Sequence, residues 1–353
     1  MFSPDMIERV PAWFRNNGPD ADCVISTRVR LARNLADRQF PSKASLLERK
    51  DIFEEVVTAV KNIPECTDCT SLNFSQMDKV AQQFLFENRV VSHDLIDSYG
   101  DRGVICDRDS NISVMVNEED HIRMTCMASG CQPVQVWELL SMLDDDLGKQ
   151  VQYAYDARRG FLTSCPTNSG TGFRISFLMH LPGLVLTKTI DSVLAGASQM
   201  GILTRGFFGE HSAVIGNFFQ LSNQATMGAK EDEFLDTTHD IIKKLINYEH
   251  AAREKILKEA KVEIMDKIYR AFGILKYAHT LDMDELLNLT SALRLGVECG
   301  ILEEVTVEEL NRIVLISLPA HMELYYNKKI SDDERHCMRA KLVKESLPDS
   351  VGI

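Results

Sequence analysis

The chain has 353 residues, and its 39 Lys and Arg against 52 Asp and Glu give a formal net charge of −13. At about 150 residues per domain the length predicts two domains, and a hydrophobic content of 44% predicts a globular protein whose core needs neither disulfides nor a structural metal. The acidic balance argues against non-specific nucleic-acid binding and against docking on anionic membranes, so we expect neither partner.

The start of the sequence and its cysteines favour a cytoplasmic protein. The first residues lack the basic segment and apolar stretch of a signal peptide, and the longest apolar run, Phe177 to Leu186, is too short to span a bilayer. Nine cysteines at irregular spacing are typical of reduced thiols rather than of a disulfide framework. Cys66 and Cys69 form a single C-x-x-C pair, which favours two incidental thiols over a zinc or redox site.

Residues 20 to about 245 mix strand and helix patterns. We predict strands at Cys23–Leu31, Ile112–Met127, Gly172–Leu181 and Asn217–Leu221. Between them, apolar residues recur at helical spacing from Val136 to Leu147 behind Pro133, and a second helix is predicted over Thr189–Met200. Strands separated by helices without regular βαβ spacing favour an α+β fold with a mainly antiparallel sheet flanked by helices.

After about residue 245 the sequence has few strand patterns and several sequence signals for the start of a helix. Capping-box pairs are Asp282 with Glu285, Thr306 with Glu309, and Ser331 with Glu334. We therefore divide the chain into an N-terminal extension (1–21), a domain of mixed strands and helices (22–245) and a C-terminal helical domain (246–353).

Several arginines lie on predicted strands or beside turn-forming residues. Arg28 and Arg30 are two residues apart, so on a strand their side chains leave the same face, and Glu119, His121 and Arg123 are predicted to share a face likewise. Arg174 follows two glycines and Arg205 precedes Gly206. The five arginines of this set, Arg28, Arg30, Arg123, Arg174 and Arg205, predict one anion-binding cavity, because a guanidinium donates paired hydrogen bonds to phosphate oxygens. The alternative is that each one pairs with a local carboxylate on a solvated face.

Two carboxylates and one thiol accompany these arginines. Glu119 and Glu210 could hold a planar cation beside a bound phosphate, and one of them could remove a proton during phosphoryl transfer. Surface carboxylates without such a role are the alternative. Cys165 is either a perturbed thiol near a cation or a structural cysteine. No Walker A motif, Rossmann fingerprint or metalloprotease helix occurs.

Four segments taken together resemble the signature blocks of the ATP:guanido phosphotransferase family. They are CVISTRVRLARNL, VNEEDHIRM, SCPTNSGTGFR and RGFFGEH with GNFFQLSNQATMG, in the family's order over roughly residues 22 to 235. The resemblance implies an antiparallel catalytic sheet flanked by helices, and an active enzyme that uses ATP as its Mg²⁺ complex with no metal ligands from the protein.

The resemblance also implies roles for individual residues. Glu119 would orient the substrate guanidinium and act as base, Glu210 would hold its other side, and Cys165 would tune the chemistry. The positions implied at the nucleotide are Ser26, Thr27, Arg28, Val29 and Arg30; Arg123; Arg174, Ile175, Ser176, Phe177 and Leu178; and Arg205, Gly206, Phe207, Phe208 and Gly209.

The chain resembles the bacterial protein-arginine kinase (McsB) branch of that family. Only 22 residues precede Cys23, too few for the extra domain that selects small guanidines in other members. The stretch Arg335, His336, Cys337, Met338, Arg339 and Ala340 is similar to that branch's phosphoarginine-sensing motif, with His336 in place of an aspartate. A solvated basic helix turn is the alternative. Arg89 stands where the branch has a nucleotide-side histidine.

The resemblance therefore implies a protein-arginine kinase. It would mark arginine-bearing proteins for a Clp-type protease, respond to phosphoarginine, work with an activator protein and form a homodimer. Two rivals stay open. A kinase of free arginine or creatine would share the active-site residues, whereas a non-catalytic phosphoarginine adaptor would have no need of Glu119 and Glu210.

Overall fold

The computed structural model describes residues 4–207 and 214–352. In this part of the chain the strands are β1 (Val24–Arg33), β2 (Thr70–Asn73), β3 (Gly103–Cys106), β4 (Ile112–Val116), β5 (Ile122–Ser129), β6 (Tyr155–Asp156), β7 (Gly160–Phe161), β8 (Phe173–His180), β9 (Ile202–Arg205) and β10 (Phe218–Asn223). The helices are α1 (Pro4–Glu8), α2 (Leu46–Lys61), α3 (Lys79–Glu87), α4 (His93–Asp97), α5 (Pro133–Gly148), α6 (Pro182–Leu186), α7 (Ile190–Gln199), α8 (Glu231–Glu259), α9 (Lys261–Tyr277), α10 (Met283–Glu298), α11 (Val307–Ile316), α12 (Pro319–Tyr325) and α13 (Asp332–Ser346). None of the described helices has the length and apolar character needed to cross a membrane.

Eight of the strands form one antiparallel sheet, in the order β2-β3-β4-β5-β1-β8-β10-β9. β1 lies in its middle, between β5 and β8. On one face of β1, Val29 and Leu31 are fully buried in the core that α5 covers, and Arg33 pairs there with Asp144 of α5 at 2.6 Å. Because side chains alternate along a strand, Arg28 and Arg30 leave the opposite face. The predicted α+β fold with an antiparallel sheet and flanking helices is confirmed.

The single strand predicted over Ile112–Met127 is wrong, because the chain reverses within it. β4 ends at Val116, β5 begins at Ile122, and the two pair as antiparallel neighbours. Asn117 opens the turn with a φ of +59°, a left-handed conformation that asparagine adopts more readily than most residues. Glu119 consequently lies in a turn, and the predicted strand face shared by Glu119, His121 and Arg123 does not exist.

The helix signals in the sequence are confirmed. α5 starts with Pro133 in its first turn, and α7 lies inside the range predicted from Thr189 to Met200. Thr306 and Ser331 form reciprocal capping boxes with Glu309 and Glu334. At the third predicted start, the Asp282 side chain accepts a hydrogen bond from the Glu285 backbone N–H.

The long helix α8 joins the two parts of the molecule and passes through position 245, where we placed the domain boundary. Its buried apolar residues up to Ala252 pack into the core of the sheet, whereas Ile256 packs with α9, α10, α11 and α13. The helical part that follows has its own core, in which Ile268, Leu275 and Leu293 are almost fully buried.

A buried network of charges ties the helical part to the sheet. Arg253 of α8 pairs with Glu249 at 2.7 Å, with Glu298 of α10 at 3.1 Å and with Asp22, just before β1, at 3.3 Å. Glu298 also accepts from Arg294 at 2.8 Å. Removing one partner of such a network leaves a buried charge uncompensated, which costs about 3–5 kcal/mol, so the two parts are held in a fixed relation.

Candidate active site

A large cavity of about 1540 Å³ opens on the face of the sheet that bears Arg28 and Arg30. Its walls come from β1, β5, β8 and β9, from the segment around α3 and α4, and from the start of α10 and the region of α11 and α12. The predicted residues that line it are Arg28, Arg30, Arg123, Arg174, Arg205, Glu119, Cys165 and Phe207. The structure therefore brings all the arginines of the predicted set into one cavity.

The strand register explains how distant arginines meet. Arg30 on β1 lies directly opposite Arg174 on β8, and Arg28 lies opposite Ser176. Arg123 on β5 lies opposite Ala32, which is two positions after Arg30 on β1. Arg205 on β9 pairs with Gln220 on β10. Residues opposite each other in antiparallel strands project from the same face of the sheet, so one face collects guanidinium groups from several strands.

The potential at this face is strongly positive. Burial lowers the pKa of Arg30 well below its usual value, and the charges of Arg28, Arg123 and Arg174 lower it further. Among the described residues, Arg30 forms no ion pair with a carboxylate, although the charge of the nearby Glu118 acts to raise its pKa. Guanidinium groups crowded in this way are stabilised by an anion that several of them can share, and phosphate has the matching geometry.

Arg123 holds two carboxylates at the edge of the cavity. Its Nη1 lies 2.5 Å from Glu118 Oε1 and its Nη2 lies 3.0 Å from Glu119 Oε2. Burial alone would lower the pKa of Arg123, but Glu118, Asp120 and Glu119 raise it overall. On the continuous strand predicted here, Glu118 would lie on the face opposite Arg123, because side chains alternate. The turn that begins at Asn117 instead directs both glutamates towards Arg123.

The Glu119 carboxylate is partly exposed, and its pKa is raised. Its side chain is 38% exposed, and burial of the rest raises its pKa, against the lowering effect of Arg123. Asn168 Nδ2 lies 3.4 Å from the Glu119 Oε2 atom. A carboxylate whose pKa is shifted towards neutrality is a better general base, and Glu119 keeps an oxygen accessible to a ligand in the cavity.

Cys165 lies across the cavity on a short turn. It caps the 3₁₀ turn Pro166–Asn168, it is partly exposed, and its Sγ atom lies 2.9 Å from Thr167 Oγ1. The loop is held in place because the Cys165 carbonyl accepts from Thr163 Oγ1 at 2.7 Å. The thiol is thus accessible and hydrogen-bonded, not part of the core.

Several positions that the family resemblance implied at the nucleotide do not line the cavity. They are Ser26, Thr27, Val29, Ile175, Ser176, Phe177, Leu178 and Gly206. All are buried. Thr27 Oγ1 donates to Gly130 O at 2.7 Å, and Val29, Ile175 and Phe177 belong to the core under the sheet. Only Ser176 approaches a cavity arginine, with its Oγ 3.4 Å from Arg28 Nε. Phe208, Gly209 and Glu210 lie outside the described residues.

The structure adds two aromatic residues that no sequence pattern placed at the cavity. Trp13 and Phe14 of the N-terminal extension line the cavity, although they precede the first signature block. Arg89 lies between two rings, with its guanidinium carbon 5.1 Å from the centre of the Trp13 ring and 4.8 Å from that of Phe207. An aromatic pair in a segment without polar motifs carries no functional signal in sequence, because such pairs are usually core.

The motif that resembles a phosphoarginine sensor lies apart from the cavity, on α13. Arg339 is only 3% exposed and donates to Ser317 O at 3.1 Å and to Leu281 O at 2.9 Å. Burial lowers the pKa of Arg339 to about 10. Arg335 is partly exposed and bonded to Asp332 and to Ile330 O, His336 is exposed, and Ala340 is buried. The two arginines share one helix face, but one of them already holds the backbone of neighbouring segments.

The sequence matches two family models in tandem. Residues 51–252 match the ATP:guanido phosphotransferase C-terminal catalytic domain, and residues 261–351 match the protein-arginine kinase McsB C-terminal domain. The chain belongs to the ATP:guanido phosphotransferase family, in its protein-arginine kinase branch. The enzyme is therefore a phosphotransferase.

Relatives in this branch align over nearly the whole chain. The enzyme is 38% identical over 339 residues to a protein-arginine kinase of Clostridium tetani, an alignment that covers 96% of this chain and 99% of the relative. It is 37% identical over 341 residues to a protein-arginine kinase of Brevibacillus brevis, covering 95% and 94% of the two chains.

Solved structures agree with the fold. A lombricine kinase is 26% identical to the enzyme with a TM-score of 0.58, over 70% of this chain and 71% of that one. A duplicated taurocyamine kinase from Schistosoma mansoni reaches a TM-score of 0.60 at 23% identity, over 77% of this chain and 40% of that chain, and this likeness concerns the fold alone.

Proposed function

We propose that the enzyme transfers the γ-phosphoryl group of ATP to the guanidinium of arginine side chains in proteins. The observation that carries the proposal is that the arginine cluster and Glu119 face one cavity. A cationic surface suits the triphosphate, and the carboxylate beside it suits a cationic acceptor. The protein-arginine kinases aligned with nearly the whole chain support a protein, rather than a free guanidine, as the acceptor.

The arginines would act on the nucleotide by position and charge. Arg28, Arg30 and Arg174 project from adjacent positions on β1 and β8, where they can contact successive phosphate oxygens. Phosphoryl transfer requires little covalent help from the protein, so neutralising the charge of the transferred group is the main contribution. Mg²⁺ would arrive bound to the phosphates, and its chemistry is to neutralise charge on the phosphate oxygens.

Glu119 would act on the acceptor. An arginine guanidinium is protonated at neutral pH and must lose a proton to attack the γ-phosphorus, and the partly exposed Glu119 carboxylate can both orient it and take that proton. Arg123 fixes the position of Glu119 through the contact at 3.0 Å. From the family resemblance, Glu210 would hold the other side of the guanidinium and Cys165 would lie near it.

The remaining features of the proposal concern regulation and context. Free or protein-bound phosphoarginine would activate the enzyme by binding at Arg335 and Arg339, with His336 and Ala340 beside them. The marked proteins would go to a Clp-type protease, with an activator protein assisting, and the enzyme would act as a cytoplasmic homodimer. These expectations are supported by the family resemblance and by the match of residues 261–351 to the branch's C-terminal domain.

One experiment decides between protein and small-molecule acceptors. The purified chain is incubated with Mg-ATP and either casein or free arginine, and acid-labile phosphate on arginine is measured by mass spectrometry under neutral conditions. Transfer to casein that is absent from a Glu119→Gln variant is the expected result. Transfer to free arginine alone would assign the enzyme to the small-guanidine kinases, and no transfer to either acceptor would leave only the adaptor hypothesis.

A further inference from the structure

A buried contact joins helix α12 of the helical part to helix α3 beside the cavity. His321 is fully buried and Glu87 is almost so. The Glu87 carboxylate accepts three hydrogen bonds from the start of α12, from Ala320 N at 2.9 Å, His321 N at 3.1 Å and His321 Nδ1 at 2.7 Å. Because backbone N–H groups in a first helical turn have no partner inside the helix, this carboxylate satisfies them and fixes α12 against α3.

The second ring nitrogen of His321 extends the network to Asn88. His321 Nε2 lies 3.2 Å from Asn88 Nδ2, which also donates to Phe84 O at 2.9 Å. The bond to the Phe84 carbonyl fixes which end of the Asn88 amide is nitrogen, and an amide nitrogen only donates. Nε2 must therefore accept, and the proton of the neutral ring lies on Nδ1, towards Glu87. A single tautomer of His321 connects both residues.

Arg89 follows Asn88 in the chain, and its backbone conformation depends on the hydrogen bonds that hold Asn88 in place. Arg89 has a φ of +60°. Two backbone hydrogen bonds close the turn that ends α3, one from Arg89 N to Phe86 O at 2.8 Å and one from Val90 N to Leu85 O at 3.0 Å. The left-handed conformation costs a non-glycine residue about 1–2 kcal/mol, so it persists where the surroundings enforce it. Here the neighbouring Asn88 is bonded on one side to His321 and on the other to Trp13, whose Nε1 donates to Asn88 O at 3.2 Å.

From this turn, the guanidinium of Arg89 extends into the cavity. The group stacks near the rings of Trp13 and Phe207 and donates to the Phe207 carbonyl. The described part of the chain gives Arg89 no carboxylate partner, so burial and the nearby charge of Arg28 together lower its pKa to about 9. Arg89 stays charged at neutral pH and extends the cluster of Arg28 and its neighbours.

We propose that His321 is a positioning residue which, through Glu87 and Asn88, holds Arg89 beside the phosphate-binding arginines, so that docking of the helical part sets the affinity for ATP. The inference rests on the proposed kinase function. It also gives the helical part a direct physical connection to the cavity, because Arg339 donates to the carbonyl of Ser317, just before α12 begins.

The test uses the full chain and measures the KM for ATP, the KM for casein and kcat. In His321→Ala we expect the KM for ATP to rise about fivefold or more, the lower range of coupling between sites, with less than a twofold change in the KM for casein. His321→Asn should restore most of the affinity, because its amide can donate to Glu87 from the place of Nδ1. Leu275→Ala, which creates a cavity in the core of the helical part, controls for general loss of stability and should leave the KM for ATP unchanged.

A double-mutant cycle identifies the route. If His321 acts through Arg89, His321→Ala should have little further effect on the KM for ATP in an Arg89→Gln background, whereas independent effects would add. A folded His321→Ala protein with an unchanged KM, or an equal rise in Leu275→Ala, would overturn the proposal. If His321→Ala does not fold, Glu87→Gln answers the same question, since it removes the charge that accepts from α12. Absence of phosphoryl transfer by the wild-type protein would instead contradict the proposed function.

Discussion

Arg30 and Arg174 lie directly opposite each other on the antiparallel strands β1 and β8, in the middle of the sheet. Like charges in this position destabilise a strand pair by up to about 1 kcal/mol. The protein tolerates this cost on the face of the sheet that lines the cavity. On the other face of β1, Arg33 pairs with Asp144. Within the predicted set, Arg123 pairs with the nearby Glu118 and Glu119, so the local pairing considered as the alternative holds for Arg123.

The first prediction concerns Arg30→Gln. Removing one of two opposed charges should raise the free energy of unfolding of the ligand-free protein by about 0.5–1 kcal/mol. It should also weaken ATP binding by about 10- to 100-fold, because a hydrogen bond to a charged group contributes about 1.5–3 kcal/mol. Urea unfolding and isothermal titration calorimetry measure the two effects. Arg38→Gln, which removes an exposed arginine paired with Glu55, is the control and should change neither.

A variant that binds ATP as tightly as the wild type would show that Arg30 makes no contact with phosphate. A fall in stability would show that the repulsion between Arg30 and Arg174 is already compensated within the protein.

The second prediction concerns Glu119→Gln. A general base contributes about 10²- to 10⁴-fold to the rate, so phosphoarginine formation should fall by that factor while nucleotide affinity changes little. Single-turnover transfer to casein and nucleotide titration separate the two quantities. Asp191→Asn, an exposed carboxylate in the first turn of α7, is the matched control and should behave as the wild type. Normal transfer by Glu119→Gln would exclude Glu119 as the base.

The pH dependence of transfer gives a third prediction. Glu119 accepts a proton only when it is ionised, and burial raises its pKa above the usual value of a glutamate. Activity should therefore decline as the pH falls, with the acid limb centred above about 4.5, the region where an exposed glutamate titrates. The profile of kcat/KM against pH, with unfolding followed in parallel by circular dichroism, tests this. An acid limb that only follows unfolding would contradict it.

Cys165 provides a fourth prediction. Cys337 is exposed, Cys165 and Cys299 are partly exposed, and the other cysteines are buried. Burial raises the pKa of the Cys299 thiol, which makes it less reactive. In a background with Cys299→Ala and Cys337→Ala, iodoacetamide should therefore react with Cys165 and abolish transfer by filling the cavity, and Mg-ATP with a peptide acceptor should slow the reaction. Cys165→Ser should keep at least about a tenth of the activity, because the family resemblance implies that the thiol tunes and does not perform the chemistry. Complete inactivity of Cys165→Ser would make the thiol essential.

The fifth prediction separates the two arginines of the α13 motif. Arg339→Ala should lower the free energy of unfolding by about 2–4 kcal/mol, because it leaves the buried carbonyls of Ser317 and Leu281 without a charged donor. Arg335→Ala should cost less than about 1 kcal/mol, since its ion-pair partner Asp332 is 89% exposed and the pair is screened by water. Both variants should lose activation by added phosphoarginine.

Urea unfolding and transfer assays with and without phosphoarginine measure these effects. A solvated basic helix turn, the alternative for this motif, does not describe Arg339, which is buried. An Arg339→Ala variant as stable as the wild type would contradict the structural role. An undiminished response to phosphoarginine in Arg335→Ala would refute the sensor.

Local rules of sequence were sufficient for much of the fold. A strand was predicted at Cys23–Leu31, where the structure has the central strand Val24–Arg33, and the two-residue spacing of Arg28 and Arg30 placed both on one face. Helical spacing behind Pro133 predicted α5, and capping pairs marked the starts of α11 and α13. These features depend on residues a few positions apart, so a linear pattern records them.

The reversal after Val116 was missed for a physical reason. Ile112–Val116 and Ile122–Ser129 are both apolar strands with only five residues between them, and the polar residues of that turn also fit the exposed positions of a continuous strand. The left-handed conformation of Asn117 decides between the two. Its side chain donates to Arg49 O and Asp101 O, each at 2.8 Å, and these carbonyls come from parts of the chain far away in sequence.

By itself, the sequence determined which side chains could bind a phosphate and a guanidinium. Its periodicity also predicted most of the strands and helices on which these side chains lie. Only the tertiary structure decided that Arg30 meets Arg174, that Glu118 shares Arg123 with Glu119, and that Arg339 is buried. Each of these depends on the register of strands or the packing of helices that are distant along the chain. Such contacts form only when the whole core is buried, so no local pattern in the sequence encodes them.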